Sequence, residues 1–259
     1  MKNKTIGFIG GGRATNIFLQ AFKKANASFD KIVVFDPDTK SLKKLNNNYI
    51  QVECENYDIE SAARSDFVIL AVHPPVILEI LTKIGHLLKS DAIVISLAPK
   101  ITIQKITQEL NGFQNIARVN PSATGIINKG INPVAFADSL SDSLKKDILD
   151  LLHILGKVPI VEESKIEAYA VICAMGPTYF WFQLQQLKMI AISFGMDEKE
   201  AEEMITEMSI GTVRTLFNSN MTPEEVMDLV PVKPLGEHEE MIKSFYIEKL
   251  NAIYKKIKP

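Results

Sequence analysis

The 259-residue sequence predicts an α/β fold for its first part, a doubly wound parallel sheet, followed by an all-helical domain. Three observations lead there. Short apolar runs bounded by turn residues recur through the first half, segments of helical period separate them, and the strand pattern stops near residue 162. The expected division is residues 1–162 for the sheet domain and 163–259 for the helical one.

The runs TIGFI (5–9), KIVVF (31–35), FVILA (67–71) and AIVIS (92–96) are the expected strands. Between them lie ATNIFLQAFKKA, PPVILEILTKIGHLL and, after the fourth strand, TIQKITQELN, the crossover helices that parallel strands require. NIARV (115–119) and NPVAFA (132–137) extend the sheet, and the helix DSLKKDILDLLHIL and a short strand, KVPIVE, complete the domain. From Ser164 onward the chain reads as helices only: SKIEAYAVICA, GPTYFWFQLQQLKMIAISFGM, DEKEAEEMITEMSIGTVRTLFNS, TPEEVMDLV, and a last one from about Glu237 to Lys256. Asp197 is placed to cap the third of these, and Thr222, Pro223 and Glu225 form a capping box for the fourth. Tyr179 to Phe194 is apolar on more than one face, so other helices or a second subunit should cover it.

Composition narrows the function classes. With 29 basic against 31 acidic residues the net charge is −2, which leaves no electrostatic footprint for nucleic acid or an anionic membrane and favours a small-molecule partner. Cys54 and Cys173 are far apart with no histidine at ligand spacing, so neither a disulfide framework nor a metal site is indicated, and both are expected to be buried thiols. The first apolar run is too short for a signal peptide, and no stretch approaches the ~18 apolar residues of a membrane span, so a cytoplasmic location is expected.

The chemistry starts at KTIGFIGGGRATNIFLQAF (4–22). A strand, then GxGxx(small), then a helix sets main-chain N–H groups and a helix amino terminus against a pyrophosphate, because side chains at the glycines would block the approach. The loop Gly10, Gly11, Gly12, Arg13, Ala14, Thr15 fits, with Thr15 where Gly or Ala is usual, at some cost in the closeness of helix to strand. KIVVFD ends in Asp36, 24 residues after Gly12, where a carboxylate accepts from ribose hydroxyls and repels a 2′-phosphate. Together these make the domain Rossmann-type and its cofactor NAD(P)H, with NADH favoured, although Lys40, Lys43 and Lys44 leave phosphate neutralisation open.

Over nearly its whole length the chain also resembles the pyrroline-5-carboxylate reductase family, through IGFIGGGRAT, LAVHPPVI, ISLAPKITI, ARVNPSATGIINKG, LGKVPIVEES and AMGPTYFWFQLQQL, in order and spacing. The resemblance implies an NAD(P)H-dependent oxidoreductase of proline biosynthesis, transferring hydride to a small cyclic imine, with a homodimer formed through the carboxy-terminal helices. It places Ala71, Val72, His73, Pro74, Asn120 and Pro121 beside the cofactor at strand ends.

Departures from the family pattern cluster at the substrate end. His73 stands for a lysine in AVKP; the RxMPNTP segment reads Arg118, Val119, Asn120, Pro121, Ser122, Ala123, Thr124; and Gln185 replaces a glutamate. The loop usually reading SPGGTT is Val232, Lys233, Pro234, Leu235, Gly236, Glu237. Imine reduction needs a fixed nicotinamide, a carboxylate site and a donor to the nitrogen. Lys233 can supply the second by point charge, and His73, Ser122, Thr124 and His238 are candidates for the third. Structural roles compete: His73 as a turn residue, His86 and His153 as parts of amphipathic helices, Arg118 as an ion-pair residue. Two other readings stay open, a same-fold dehydrogenase or reductase for another small substrate, including relatives of the deazaflavin-dependent NADP reductases, and a dinucleotide-binding dimer without catalysis.

Overall fold

A computed structural model describes the chain from Met1 to Pro259, with Pro75 described by its backbone alone. The elements of the first part are β1 (Thr5–Ile9), α1 (Arg13–Lys24), β2 (Lys31–Phe35), α2 (Thr39–Asn48), β3 (Val52–Glu55), α3 (Glu60–Ala63), β4 (Phe67–Leu70) and α4 (Pro74–Ile84). They continue through β5 (Ile93–Ser96), α5 (Ile103–Glu109), β6 (Ile116–Val119), a 3-10 turn (Ala123–Ile127), β7 (Gly130–Ile131), β8 (Val134–Phe136), α6 (Asp142–His153) and β9 (Gly156–Lys157). A short α7 (Ile166–Tyr169) then runs into a π-helical turn (Ala170–Ala174).

Seven strands form the main sheet in the order β3-β2-β1-β4-β5-β6-β8, parallel except for β8, which runs antiparallel to β6. The apolar runs are continuous because both faces are covered. Side chains alternate across a strand, so Phe8, Ile69, Ile95 and Val119 join α1, α2 and α6 in one cluster. Ile9, Val68, Leu70 and Val94 join α3, α4 and α5 in the other. On that second face α3 lies so close to β1 that a Cβ at Gly7 would stand 1.9 Å from the Ala62 carbonyl oxygen.

The expected α/β architecture is present, with additions. The edge strand β3 and helices α2 and α3 carry weak apolar signals: Val52 is the one buried residue of β3, and α2 buries only Leu42 and Leu45. The expected strand KVPIVE forms a ladder only at Gly156–Lys157, paired with β7 outside the main sheet, plus a single bridge from Ile160 to Val134. Pro159, having no N–H, interrupts it.

By packing, the chain divides into one unit of residues 1–175 with 253–259 and a second of 176–252. The strand-to-helix change expected at 162 lies within the first unit, because Arg118 of β6 bonds Glu163 and Glu167, and Ile166 joins the second core cluster. The remaining helices are α8 (Pro177–Ser193), α9 (Glu198–Asn218), α10 (Pro223–Asp228) and α11 (Glu239–Ile257). Both expected caps form: the Asp197 carboxylate accepts from Glu200 N at 2.9 Å, and Thr222 and Glu225 close a capping box. Lys188 of α8 binds Glu198 and Glu202 of α9 at 2.7 and 2.5 Å. Of the described residues 176–252, only Ala201 is a buried hydrophobic one. No described helix is long and apolar enough to cross a membrane, and no described group of three or more His, Cys, Asp or Glu could hold a metal ion.

One carboxylate locks the start of β1 to the start of β4. Asp66 accepts from the N–H and hydroxyl of Thr5 at 2.7 and 2.9 Å, and from Lys89 at 2.6 Å. Burial pushes its pKa up, but Lys89 and the Thr5 donors outweigh that and hold it below the ordinary value. A depressed native pKa contributes stability that is complete above the ordinary aspartate value of about 3.9 and is lost as pH falls through the lower native value. Asp66→Asn should therefore lower the melting temperature at neutral pH and flatten its decline on the acid side, measured by thermal unfolding across pH.

Candidate active site

The strand order reverses between β1 and β4, and in such sheets a ligand crevice opens at the carboxyl ends of those two strands. The sequence puts its three glycines there. Gly10 donates its N–H to Phe35 O at 2.8 Å and takes φ +108°, a conformation that favours glycine. A Cβ on it would stand 2.5 Å from Ala71 O, beyond the end of β4. Gly12 is the N-cap of α1 with no side-chain cap bond, and the space its Cβ would enter is open. The loop thus leaves first-turn amides of α1 uncovered, an arrangement that suits a diphosphate. Thr15 is fully buried, and its hydroxyl donates to the Gly10 carbonyl, so the residue that departs from the usual Gly or Ala also ties helix to loop.

Asp36 is oriented from two sides. Its Oδ2 accepts from Gly11 N at 2.7 Å and its Oδ1 from Asp38 N at 2.8 Å. The carboxylate expected at the adenosine ribose is therefore anchored to the middle glycine of the loop. Asp38 in turn caps α2, accepting from Lys40 N at 3.0 Å and from the Ser41 hydroxyl at 2.9 Å. The Lys40 N–H foremost, then the Ser41 hydroxyl, hold the Asp38 carboxyl below its ordinary pKa.

Beyond β4, Ala71, Val72 and Pro74 are half-buried, while His73 is exposed as the N-cap of α4, where its ring makes no capping bond. Pro74 starts the helix, a position at which its missing N–H costs nothing. Beyond β6, Asn120 N donates to Pro133 O at 3.3 Å and Ser122 N to Asn132 Oδ1 at 3.2 Å. The Ser122 hydroxyl is buried and donates to Cys173 O at 3.2 Å. That carbonyl has no α-helical donor of its own, because the residue four positions on is Pro177. Thr124 donates to Lys129 O at 3.2 Å and lies 3.0 Å from Ser122 Oγ. Three contacts thus draw on two hydroxyl protons. The turn that follows packs on α1, where a Cβ at Gly125 would be 3.1 Å from Ile17 Cγ2.

Arg118 resolves the choice between ion pair and ligand contact. It is 1% exposed and donates to Glu163 at 3.0 Å, to Glu167 at 2.5 Å and to Ala98 O at 3.4 Å. Glu163 also accepts from Ile103 N at 2.7 Å, so one guanidinium and two carboxylates join β6, the loop after β5, the start of α5 and the approach to α7. Arg118 Nε and Glu167 Oε2 are buried without a partner. Cys54 and Cys173 are half-buried rather than fully buried, and burial pushes both thiols up, which keeps them protonated. Lys233, Gln185 and His238 belong to the second unit and are exposed.

Comparison with known proteins agrees with this geometry. A family model described as NADP oxidoreductase, coenzyme F420-dependent, matches residues 5–100, and one described as pyrroline-5-carboxylate reductase dimerisation matches residues 163–256. A pyrroline-5-carboxylate reductase of Haemophilus influenzae is 25% identical over 83% of this chain and 79% of its own length. One from Methanosarcina acetivorans is 26% identical over 91% and 87%. The chain belongs to the pyrroline-5-carboxylate reductase family. As a member it is an oxidoreductase of the NAD(P)-dependent type. The fold agrees with that of a solved Plasmodium falciparum pyrroline carboxylate reductase with NADP bound, at TM-score 0.82 and 20% identity, covering 100% of this chain and 98% of that one.

Sequence reasoning missed three features of this family member. Glu163 and Glu167 are Arg118's partners, and their i, i+4 spacing is the signal that could have exposed them. Asn132 is fully buried and holds the Ser122 amide, a tertiary fact with no local signature. Asp38 shows itself only as an aspartate three residues before a serine at a helix start.

Two substitutions separate ligand binding from stability. Gly12→Val should leave the melting temperature nearly unchanged, since its side chain enters open space, yet abolish binding of NADH and NADPH measured by calorimetry. Arg118→Ala should cost about 3 to 5 kcal/mol in chemical denaturation, because it leaves the buried Glu167 carboxylate, with the part-exposed Glu163 beside it, without a cation.

Proposed function

We propose that this chain reduces a small cyclic imine carrying a carboxylate, of the pyrroline-5-carboxylate type, using NAD(P)H with NADH preferred, and that it works as a homodimer. The observation carrying the cofactor part is the glycine loop at the β1/β4 reversal, open at Gly12 and anchored through Gly11 to Asp36. The relatives named as pyrroline-5-carboxylate reductases support the substrate class.

Bound reduced nicotinamide supplies the hydride. This chain's residues bind, orient and protonate. The loop from Gly10 to Thr15 holds the diphosphate, Asp36 receives the ribose hydroxyls, and Ala71, Val72, Pro74, Asn120 and Pro121 flank the ring. Ser122 and Thr124 spend their hydroxyl protons on Cys173 O and Lys129 O, so they shape the loop after β6. His73, exposed and free of capping duty, is the donor to the imine nitrogen. Lys233 holds the substrate carboxylate in place of the threonine pair that the family loop usually provides.

Support for the dimer lies in the second unit. Phe182 and Phe194 of that unit are 67% and 82% exposed, and Phe217 is 74% exposed. A unit with one buried hydrophobic residue cannot supply its own core. The family model over this region carries the word dimerisation in its description.

A second reading, a dinucleotide-binding dimer without turnover, draws on the same committed hydroxyls and the missing threonine pair. Purified protein mixed with pyrroline-5-carboxylate and NADH or NADPH distinguishes the two. Oxidation of the reduced nicotinamide at an ordinary enzymatic rate is expected, from a species that sediments as a dimer. Tight coenzyme binding without oxidation of either coenzyme would favour the second reading. Lys233→Ala should raise the KM for the carboxylate substrate about tenfold or more while sparing coenzyme affinity; an equal loss of both would remove Lys233 from the substrate site.

A further inference from the structure

We propose that Asp38 is a coenzyme-specificity residue, acting with Asp36 to exclude a 2′-phosphate from the turn after β2. The inference rests on the NADH preference proposed above and extends it from one acid to a pair. NADPH differs from NADH by a phosphate bearing close to two negative charges, and a site that accepts it must offer unspent N–H or O–H donors and a cation.

The turn from Asp36 to Ser41, where α2 begins, has donors of the right kind. They are already spent. Asp38 N–H goes to Asp36 Oδ1 at 2.8 Å, Lys40 N–H to Asp38 Oδ1 at 3.0 Å, and the Ser41 hydroxyl to Asp38 Oδ2 at 2.9 Å. Of the influences that lower the Asp38 pKa, the Lys40 N–H is the largest and the Lys40 charge only the smallest, so it is the geometry of the spent donors that closes the turn. A carboxylate of the chain therefore fills the place at the start of α2 that a phosphate would need. Together with Asp36 it sets two negative charges against the phosphate's own. The same relay runs back to the glycine loop, since Asp36 Oδ2 accepts from Gly11 N–H at 2.7 Å. NADH, carrying no phosphate there, meets neither obstacle.

The test is direct binding of NADH and NADPH, by calorimetry and by nicotinamide fluorescence, to the full-length protein and to Asp38→Asn. Asparagine caps a helix as well as aspartate does, so the variant keeps its fold while losing the charge. Asp38→Asn should bind NADPH roughly tenfold more tightly, the scale of one surface carboxylate against a divalent phosphate in water, with NADH affinity held within about twofold. Raising salt should narrow the wild-type preference for NADH and narrow that of the variant less, because screening acts on the charge that was removed.

An unchanged NADPH affinity in Asp38→Asn, with wild type still preferring NADH, would overturn the role of Asp38 and leave discrimination to Asp36. Equal gains for both coenzymes would overturn it too. Wild-type protein binding NADPH more tightly than NADH would instead sink the underlying preference, so the two failures are distinct.

Discussion

The structure depends on how closely main chain meets main chain where β1 ends. With no side chain at Gly10, the strand's last turn comes against the Ala71 carbonyl beyond β4, where a Cβ would stand 2.5 Å from the oxygen. That approach brings together the ends of the two strands between which the sheet reverses, and it aims the first turn of α1 into the gap. Thr15 and Asp36 secure it, one by donating to the Gly10 carbonyl, the other by receiving the Gly11 amide. A nucleotide site made this way is mostly backbone, so the side chains around it hold the backbone in place.

A buried charge cluster does the corresponding work on the other side of the sheet's reversal. Arg118 lies within the sheet and draws the loop after β5, the start of α5 and the segment leading to α7 onto β6 through Ala98, Glu163 and Glu167. Such clusters are weak evidence for stability, because desolvation offsets much of the attraction. Their geometry is demanding, however, and this one explains why the first packing unit runs on to residue 175 although strand character ends near 162. Beside it, Ser122 gives its proton to the carbonyl that Pro177 leaves without a donor. The loop expected to face substrate is thus fixed from behind.

The two units meet different physical demands. The first encloses two apolar clusters, one on each face of its sheet. The second pairs its helices through Lys188 and its acidic partners and through the edge-on rings of Tyr179 and Tyr246, while leaving apolar side chains uncovered. Its helices are capped and well formed locally, and their stability as a unit calls for surface from another chain. Where the family loop carries small residues and hydroxyls, this chain carries Lys233 and Pro234, and the proposed role of Lys233 would exchange a shaped pocket for a point charge.

By itself the sequence determined the alternation of buried strands and amphipathic helices, the place of the glycine loop, the acid that follows β2, and the caps at Asp197 and Thr222. These are local: a continuous apolar run, a residue without a Cβ, or a side chain bonding an amide three positions away can be read from neighbours in the chain. Tertiary structure alone decided that β3 would pair at the edge despite its polar residues, that KVPIVE would pair outside the main sheet and touch it only through a bridge at Ile160, and that Arg118 would be enclosed by two glutamates some 45 to 49 positions later. It also decided that Ser122 would spend its proton on Cys173, 51 residues away. Contacts across such separations depend on where the crossovers bring the chain back, and no local periodicity or spacing encodes that return.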